Sequence, residues 1–80
     1  MRMNLKLSRV GMNMQEATIA RWHKQPGDAF SAGEPLYEIE TEKVTQEVTA
    51  SGDGTLLEIF VPAGENVAVG APVCAVDMKL

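Results

Sequence analysis

Short runs of hydrophobic residues cover most of this 80-residue chain, and turn-forming residues interrupt them about every 8 to 12 positions. The runs are rich in Val, Ile, Leu, Thr and Phe, and the interruptions contain Gly, Pro, Asp and Asn. Hydrophobic and polar residues alternate most clearly between Val44 and Ala50. This spacing is typical of an all-β sandwich or barrel. It predicts strands near residues 2–7, 17–24, 29–31, 36–41, 44–50, 54–61, 66–68 and 73–78.

The same pattern occurs twice. The segment from Gly27 to Glu40 recurs from Gly64 to Asp77, at an offset of 37 residues and without a gap. A repeated segment that folds as one unit predicts internal twofold pseudosymmetry. Three earlier residues follow the same offset onto residues of similar type: Thr18 onto Thr55, Ile19 onto Leu56, and Trp22 onto Ile59.

Residues 14–25 contain good helix formers, and Ile19 and Trp22 are three apart, as on one face of a helix. The equivalent residues Leu56 and Ile59 lie in a β-rich run, however, and the two copies should share one fold. We therefore predict a strand in both places. A β-bulge in each strand would bring its two apolar side chains to one face.

The join between the copies is the stretch Glu40-Thr41-Glu42-Lys43-Val44. Two extended runs with almost nothing between them predict a β-hairpin with Lys43 at its tip, although Glu-Lys is not the Asn-Gly type that favours tight hairpins. The 37-residue offset places residues 41–44 over residues 4–7 and over the chain end beyond Asp77. The chain termini should therefore meet at the place equivalent to the hairpin, at the opposite end of the domain.

The length and composition of the chain argue against several classes of protein. Eighty residues suit one domain, residues 1–80, with a thin core and no room for a deep active-site cleft. A net charge of -4 with scattered Lys and Arg argues against a nucleic-acid partner. One Cys and one His cannot supply the four ligands of a zinc site, so we predict no metal. We find no nucleophile–base pair and predict that the isolated domain is not an enzyme.

The chain has no apolar run near the ~20 residues that a membrane helix needs, so no membrane partner is predicted. The single cysteine, Cys74, excludes an internal disulfide and fits a reducing compartment. The N-terminal residues lack the apolar core of a signal peptide. We expect a cytoplasmic location, or the mitochondrial matrix if a presequence has been removed.

The stretch from Glu40 to Val44 resembles the lipoylation motif of lipoyl domains, usually written E-T-D-K-A. The resemblance extends from about residue 3 to residue 77. Two positions depart from the motif, Glu42 for Asp and Val44 for Ala, and both leave the lysine and an acidic neighbour in place. Landmarks of the family occur in the same order: residues 11–19, Trp22, Pro26-Gly27-Asp28 and residues 33–39.

This resemblance implies a flattened β-barrel of two four-stranded antiparallel sheets, the barrel-sandwich hybrid. It implies lipoic acid in amide linkage to Lys43, and a parent chain that is the dihydrolipoamide acyltransferase of a 2-oxo acid dehydrogenase complex. The swinging arm would carry acyl groups and reducing equivalents among a thiamine-dependent decarboxylase, the acyltransferase core and dihydrolipoamide dehydrogenase. Glu40, Thr41, Glu42 and Val44 would take part in recognition by these partners.

Modification of Lys43 would require an enzyme. An ordinary lysine pKa of about 10.4 leaves only about one amine in a few thousand neutral at pH 7. The sequence offers no neighbouring base, and the adjacent glutamates favour the charged form. A lipoate ligase or lipoyl transferase should therefore bind the hairpin tip and remove the proton.

Three other interpretations stay open at this point. A biotinyl carrier domain would share the fold, but it carries Met on both sides of its lysine, and the only such resemblance, Met78-Lys79-Leu80, lies at the chain end. The chain could instead be an unmodified interaction module. Lys43 and the glutamates near it could also be ordinary solvated residues. The sequence does not distinguish which 2-oxo acid the complex would process.

Overall fold

Eight β-strands and no helix make up the described part of the chain, residues 1–8, 15–42 and 44–79 of a computed structural model. Every predicted strand is present, with its ends within two residues of the predicted ones. The all-β prediction is therefore confirmed. The strands are β1 (Arg2–Lys6), β2 (Glu16–Trp22), β3 (Ala29–Phe30), β4 (Pro35–Glu40), β5 (Thr45–Thr49), β6 (Gly54–Ile59), β7 (Asn66–Ala68) and β8 (Pro72–Met78).

The strands form two four-stranded antiparallel sheets, in the orders β1-β8-β6-β3 and β5-β4-β2-β7. Exchanging β1 with β5, β8 with β4, β6 with β2 and β3 with β7 turns one sheet order into the other. Each sheet thus contains strands from both copies of the repeat, and the predicted twofold pseudosymmetry is confirmed. Long-range pairing of this kind means that neither copy completes a sheet alone.

The offset between equivalent strands is 37 residues for most of the fold, but it is different for β1 and β5. Lys6 pairs with Pro72, and Thr49 pairs with Pro35. Because Pro35 and Pro72 are equivalent, Lys6 corresponds to Thr49, at an offset of 43. The expectation that residues 41–44 lie over residues 4–7 was therefore wrong. Six additional residues between β1 and β2 account for the difference.

The helix considered for residues 14–25 is not formed over residues 15–25, the described part of that segment, because β2 occupies most of it and pairs on both sides. The pairing of β2 with β4 shifts between Ile19 and Arg21, and that of β6 with β8 shifts between Leu56 and Glu58. The predicted bulge is thus present in both strands, at equivalent positions. The two strands also share one burial pattern, since Ile19 and Leu56 are fully buried.

Two glycine turns tie the copies together. Gly27 N donates to Leu56 O at 2.7 Å, and Gly64 N donates to Ile19 O at the same distance. Both glycines have positive φ, +97° and +93°, which L side chains rarely adopt. Each turn therefore donates a backbone hydrogen bond to the bulged strand of the other copy.

The closure at the chain termini matches the closure of the β4–β5 hairpin. Met78 N donates to Met1 O at 2.8 Å, and Thr41 N donates to Val44 O at 2.8 Å. The offsets of 37 and 43 make these two hydrogen bonds equivalent. The expectation that the termini meet at the counterpart of the hairpin is therefore confirmed, although the alignment that suggested it was not.

The core combines large residues of one copy with small residues of the other. Tyr37 and Cys74 are equivalent and both fully buried. Trp22, the counterpart of Ile59, packs its ring 4.7 Å from that of Tyr37 and donates Nε1–H to Val61 O at 3.0 Å. Trp22 is thus half-buried and packs against the core, as expected for a large aromatic side chain with one polar group.

Burial raises the pKa of Tyr37 to about 12, with a further contribution from Cys74, and raises the pKa of the Cys74 thiol to about 11. Both groups lose protons more readily in the unfolded chain, so folding stability should be complete below about pH 9 and fall as the pH rises toward 12. We expect Tyr37→Phe to reduce this alkaline loss by about 1 to 2 kcal/mol. The decrease in the free energy of unfolding between pH 8 and pH 11 is measured with urea for the wild type and for Tyr37→Phe. An equal decrease in the two would contradict the role of Tyr37.

Gly54 is the glycine whose replacement should cost most. A Cβ there would lie 2.6 Å from Asp77 O and 2.9 Å from Phe30 Cζ. We expect Gly54→Ala to destabilise the fold by about 1 to 3 kcal/mol. The matched control is Gly52→Ala, whose Cβ would meet only the flexible Cε of Met78, at 3.2 Å. Urea midpoints compare the two variants, and equal midpoints would contradict the prediction.

Head-to-tail cyclisation tests the equivalence of the two closures. Joining Leu80 to Met1 leaves two residues between Met78 and Met1, the same number as between Thr41 and Val44. We expect the cyclic chain to fold and to gain about 2 to 4 kcal/mol, because the link restricts the unfolded chain. The exposed ion pair of the Met1 ammonium with Asp77 Oδ1, which is lost, should matter little. Thermal unfolding beside the linear chain measures the change, and a lower Tm would contradict the equivalence.

Candidate functional site

The hairpin between β4 and β5 is tightly closed at its base. Glu40 pairs with Thr45, and beyond this pair Thr41 N donates to Val44 O at 2.8 Å. The chain therefore reverses within Thr41–Val44, as the sequence predicted. Lys43 lies outside the described residues, and its place in the chain is between Glu42 and Val44.

The residues on either side of position 43 are exposed. Val44, which directly precedes β5, exposes 53% of its surface. Glu42 is also exposed, whereas Thr41 is half-buried. The predicted recognition residues thus differ, since Glu40, Glu42 and Val44 face solvent and Thr41 faces it only in part.

Thr41 makes a second contact across the hairpin. Its Oγ1–H donates to Val44 O at 3.3 Å, in addition to the backbone bond from its own N–H. The Val44 carbonyl therefore accepts two hydrogen bonds from one residue. Sequence analysis missed this role, although threonine hydroxyls are known to form hydrogen bonds with nearby backbone groups.

The hairpin lies at the opposite end of β4 from the chain termini. Lys79 N donates to Asp53 O at 2.9 Å, and Asp53 Oδ1 accepts from Ala32 N at 2.8 Å, three residues before β4 begins. Strand β4 then runs from Pro35 to Glu40, about 17 Å at roughly 3.3 Å per residue. The predicted separation of the termini from the hairpin is therefore confirmed.

The outer face of β4 and β5 is acidic near the hairpin. Glu38 and Glu47 are directly paired across the two strands, which is an unfavourable arrangement for like charges. Arg21 pairs with Glu38 from β2, and His23 Nε2 lies 3.0 Å from Glu38 Oε1. The cross-strand partner follows from the β2–β4 pairing, which the sequence did not provide.

Two cavities among the described residues lie away from the hairpin. One opens between β1 and β5, has a volume of about 190 Å³ and reaches Ala50, Ser51 and Met78. The other is lined by residues near the termini, including Gly54 and Asp77. Of the described hairpin residues, neither 40–42 nor Val44 lines either cavity.

The described residues form no helix that is long and apolar enough to cross a membrane. Within the same part of the chain, no three His, Cys, Asp or Glu side chains are grouped in a way that could hold a metal ion.

Comparison with known proteins gives the class to which this fold and hairpin belong. The biotin/lipoyl family, described as "Biotin-requiring enzyme", matches residues 3–76. A single-chain, multi-domain long-chain acyl-CoA carboxylase contains a domain of the same fold, with a TM-score of 0.81 over 99% of this chain and 7% of that one. Its sequence identity is 18%, so this likeness concerns the fold alone.

More specific likenesses lie among lipoyl proteins. The lipoyl domain of the 2-oxoglutarate dehydrogenase complex from Azotobacter vinelandii has a TM-score of 0.75 and 32% identity, over 96% of this chain and 95% of that one. The succinyltransferase component of the same kind of complex from Rickettsia conorii is 49% identical over 70 residues, which are 88% of this chain and 18% of the relative. The chain thus belongs to the biotin/lipoyl family and is a lipoyl domain of the type found in 2-oxo acid dehydrogenase acyltransferases. It spans less than a fifth of that relative's length.

Proposed function

We propose that residues 1–80 form a single carrier domain in which Lys43 is lipoylated and the resulting arm moves between active sites of a 2-oxo acid dehydrogenase complex. The observation that carries this proposal is the chain reversal between Thr41 and Val44, which contains the lysine of the E-T-E-K-V motif. The relatives named above support it, because they are lipoyl proteins at 32% and 49% identity.

The surroundings of the hairpin suit a lipoyl-lysine arm. Its exposed neighbours Glu42 and Val44 leave the approach open, and the cavities lie elsewhere. A carrier needs an attachment point that is presented on a rigid element, and the paired strands β4 and β5 provide one. When bound, the lipoyl group would supply a dithiolane that accepts acyl groups and electrons.

The domain would be a substrate for enzymes and would not itself be a catalyst. A lysine amine is protonated at neutral pH, and the described residues nearest to it in the chain are a glutamate and a valine, which offer no base of suitable strength. A lipoate ligase or lipoyl transferase would therefore have to deprotonate the amine. Tethering would then raise the effective concentration of the carried group at each active site.

The proposed partners are those of the complex: a thiamine-dependent 2-oxo acid decarboxylase, the acyltransferase core and dihydrolipoamide dehydrogenase. Glu40, Glu42 and Val44, which are exposed, would contact them directly. Complementary charge would favour a partner surface that is basic near the hairpin. The relatives named above come from bacteria, which favours the cytoplasmic location over the mitochondrial matrix.

Intact mass after incubation with a lipoate ligase, ATP and lipoic acid tests the attachment. We expect one lipoyl group on the wild-type domain and none on Lys43→Gln, because the ligase should recognise only the lysine of the hairpin and not Lys6, Lys24 or Lys79. The matched control is Lys79→Gln, which removes the lysine of the biotin-like stretch and should still be modified once.

A parallel incubation with a biotin ligase and biotin separates the rival carriers. We expect no mass change, since Glu42 and Val44 replace the methionines that flank a biotinyl lysine. Biotin uptake would favour the biotinyl interpretation. A wild-type domain that accepts neither group would support an unmodified interaction module, and lipoylation of Lys43→Gln would exclude Lys43 as the site.

A further inference from the structure

We propose that Thr41 acts as a positioning residue: its hydroxyl holds the hairpin in the geometry in which the modifying enzyme accepts the lysine. This inference rests on the proposed lipoylation of Lys43 and adds a residue to that site. It also gives Thr41 a role different from direct contact with partners. The observation behind it is the pair of hydrogen bonds from Thr41 to the Val44 carbonyl, at 2.8 Å from N and 3.3 Å from Oγ1.

The equivalent closure at the other end of the domain also has bonds in addition to the one that defines it. There Met78 N donates to Met1 O at 2.8 Å, and the Met1 ammonium donates to Met78 O and to Asp77 Oδ1, both at 2.8 Å. At the closure that leads into Glu42 and Lys43, the additional bond comes from Thr41 Oγ1.

Burial supports positioning over recognition. Thr41 is half-buried, while Glu40, Glu42 and Val44 are exposed. Its hydroxyl is engaged with a backbone carbonyl of its own hairpin, so this donor is not free for a partner. Glu-Lys in the turn is not the type that favours a tight hairpin, so an additional bond across the turn would stabilise the closed form.

The expected change in KM follows from the fraction of domains whose hairpin is closed, with Thr41 hydrogen-bonded to Val44 O. An enzyme that accepts only the closed hairpin binds the domain with an apparent affinity reduced by the fraction that is closed. Loss of a hydrogen bond of this kind lowers the ratio of closed to open hairpin by a factor of about 2 to 10, and the closed fraction falls by up to that factor. Removal of the hydroxyl should therefore raise KM for the domain, while kcat at saturation stays near its original value.

The experiment compares Thr41→Val, Thr41→Ser and Thr45→Val in lipoylation by a lipoate ligase, at varied concentrations of the domain. Thr41→Val removes the hydroxyl with little change of shape, and Thr41→Ser keeps it. Thr45→Val is the matched control, because Thr45 is exposed and none of the side-chain hydrogen bonds described here involves it. We expect KM to rise about 2- to 10-fold for Thr41→Val and to stay within 2-fold for the other two.

Amide hydrogen exchange provides a readout that does not depend on the enzyme. The Thr41 N–H should exchange faster in Thr41→Val than in Thr41→Ser or Thr45→Val, and thermal unfolding should give similar Tm values for all. An unchanged KM for Thr41→Val would overturn the inference, as would an equal rise for Thr41→Ser. These results leave lipoylation of Lys43 intact. A wild-type domain that is not modified would instead overturn the proposed function, and the positioning role with it.

Discussion

The exchange of strands between the two halves of the chain is the constraint on which this structure depends. Strands β1 and β3 of the first copy lie in one sheet with β6 and β8 of the second, and the other sheet has the reverse composition. The bulged strands receive their last backbone partners from the glycine turns of the opposite copy, at 2.7 Å in both cases. Neither half can bury its apolar face or satisfy its backbone without the other. A domain of only 80 residues obtains one cooperative core in this way.

The departures from symmetry are informative because the fold itself does not require them. Lys24 Nζ and Glu34 Oε2 form an ion pair at 3.1 Å, and their counterparts Val61 and Ala71 pack against the core as apolar residues. One copy thus has a polar link where the other has apolar packing against the core, so this difference is structural. At the hairpin the symmetry is kept in part, since the counterpart closure at the termini also has a side-chain bond, from the Met1 ammonium to Asp77 Oδ1. The asymmetry lies in the residue that supplies the bond, which at the hairpin is Thr41, two residues before Lys43.

Sequence reasoning was sufficient for the strands because apolar alternation and turn residues act locally. It also identified the bulges, since two equivalent segments with the same apolar spacing had to share one fold. It failed for the alignment of β1 with β5, because the six additional residues between β1 and β2 change the offset and only strand pairing reveals the change. The contacts of His23 with Glu38 and of Thr41 with Val44 were missed for a related reason. They depend on which residues face each other across strands, and a single sequence does not specify that.

The placement of the hairpin relative to the termini explains why this fold suits a carrier. The two closures are equivalent under the pseudosymmetry. The length of β4 separates them, because the termini lie near its beginning and the hairpin follows its end, so they cannot interfere with each other. A chain attached at the termini would leave the whole hairpin end open to large partners. The pairing of β4 with β5 continues to Glu40 and Thr45, at the base of the hairpin, as that of β1 with β8 continues to Arg2 and Asp77 near the termini. A paired base of this kind presents an attached arm from a defined place, which several different enzymes can recognise in turn.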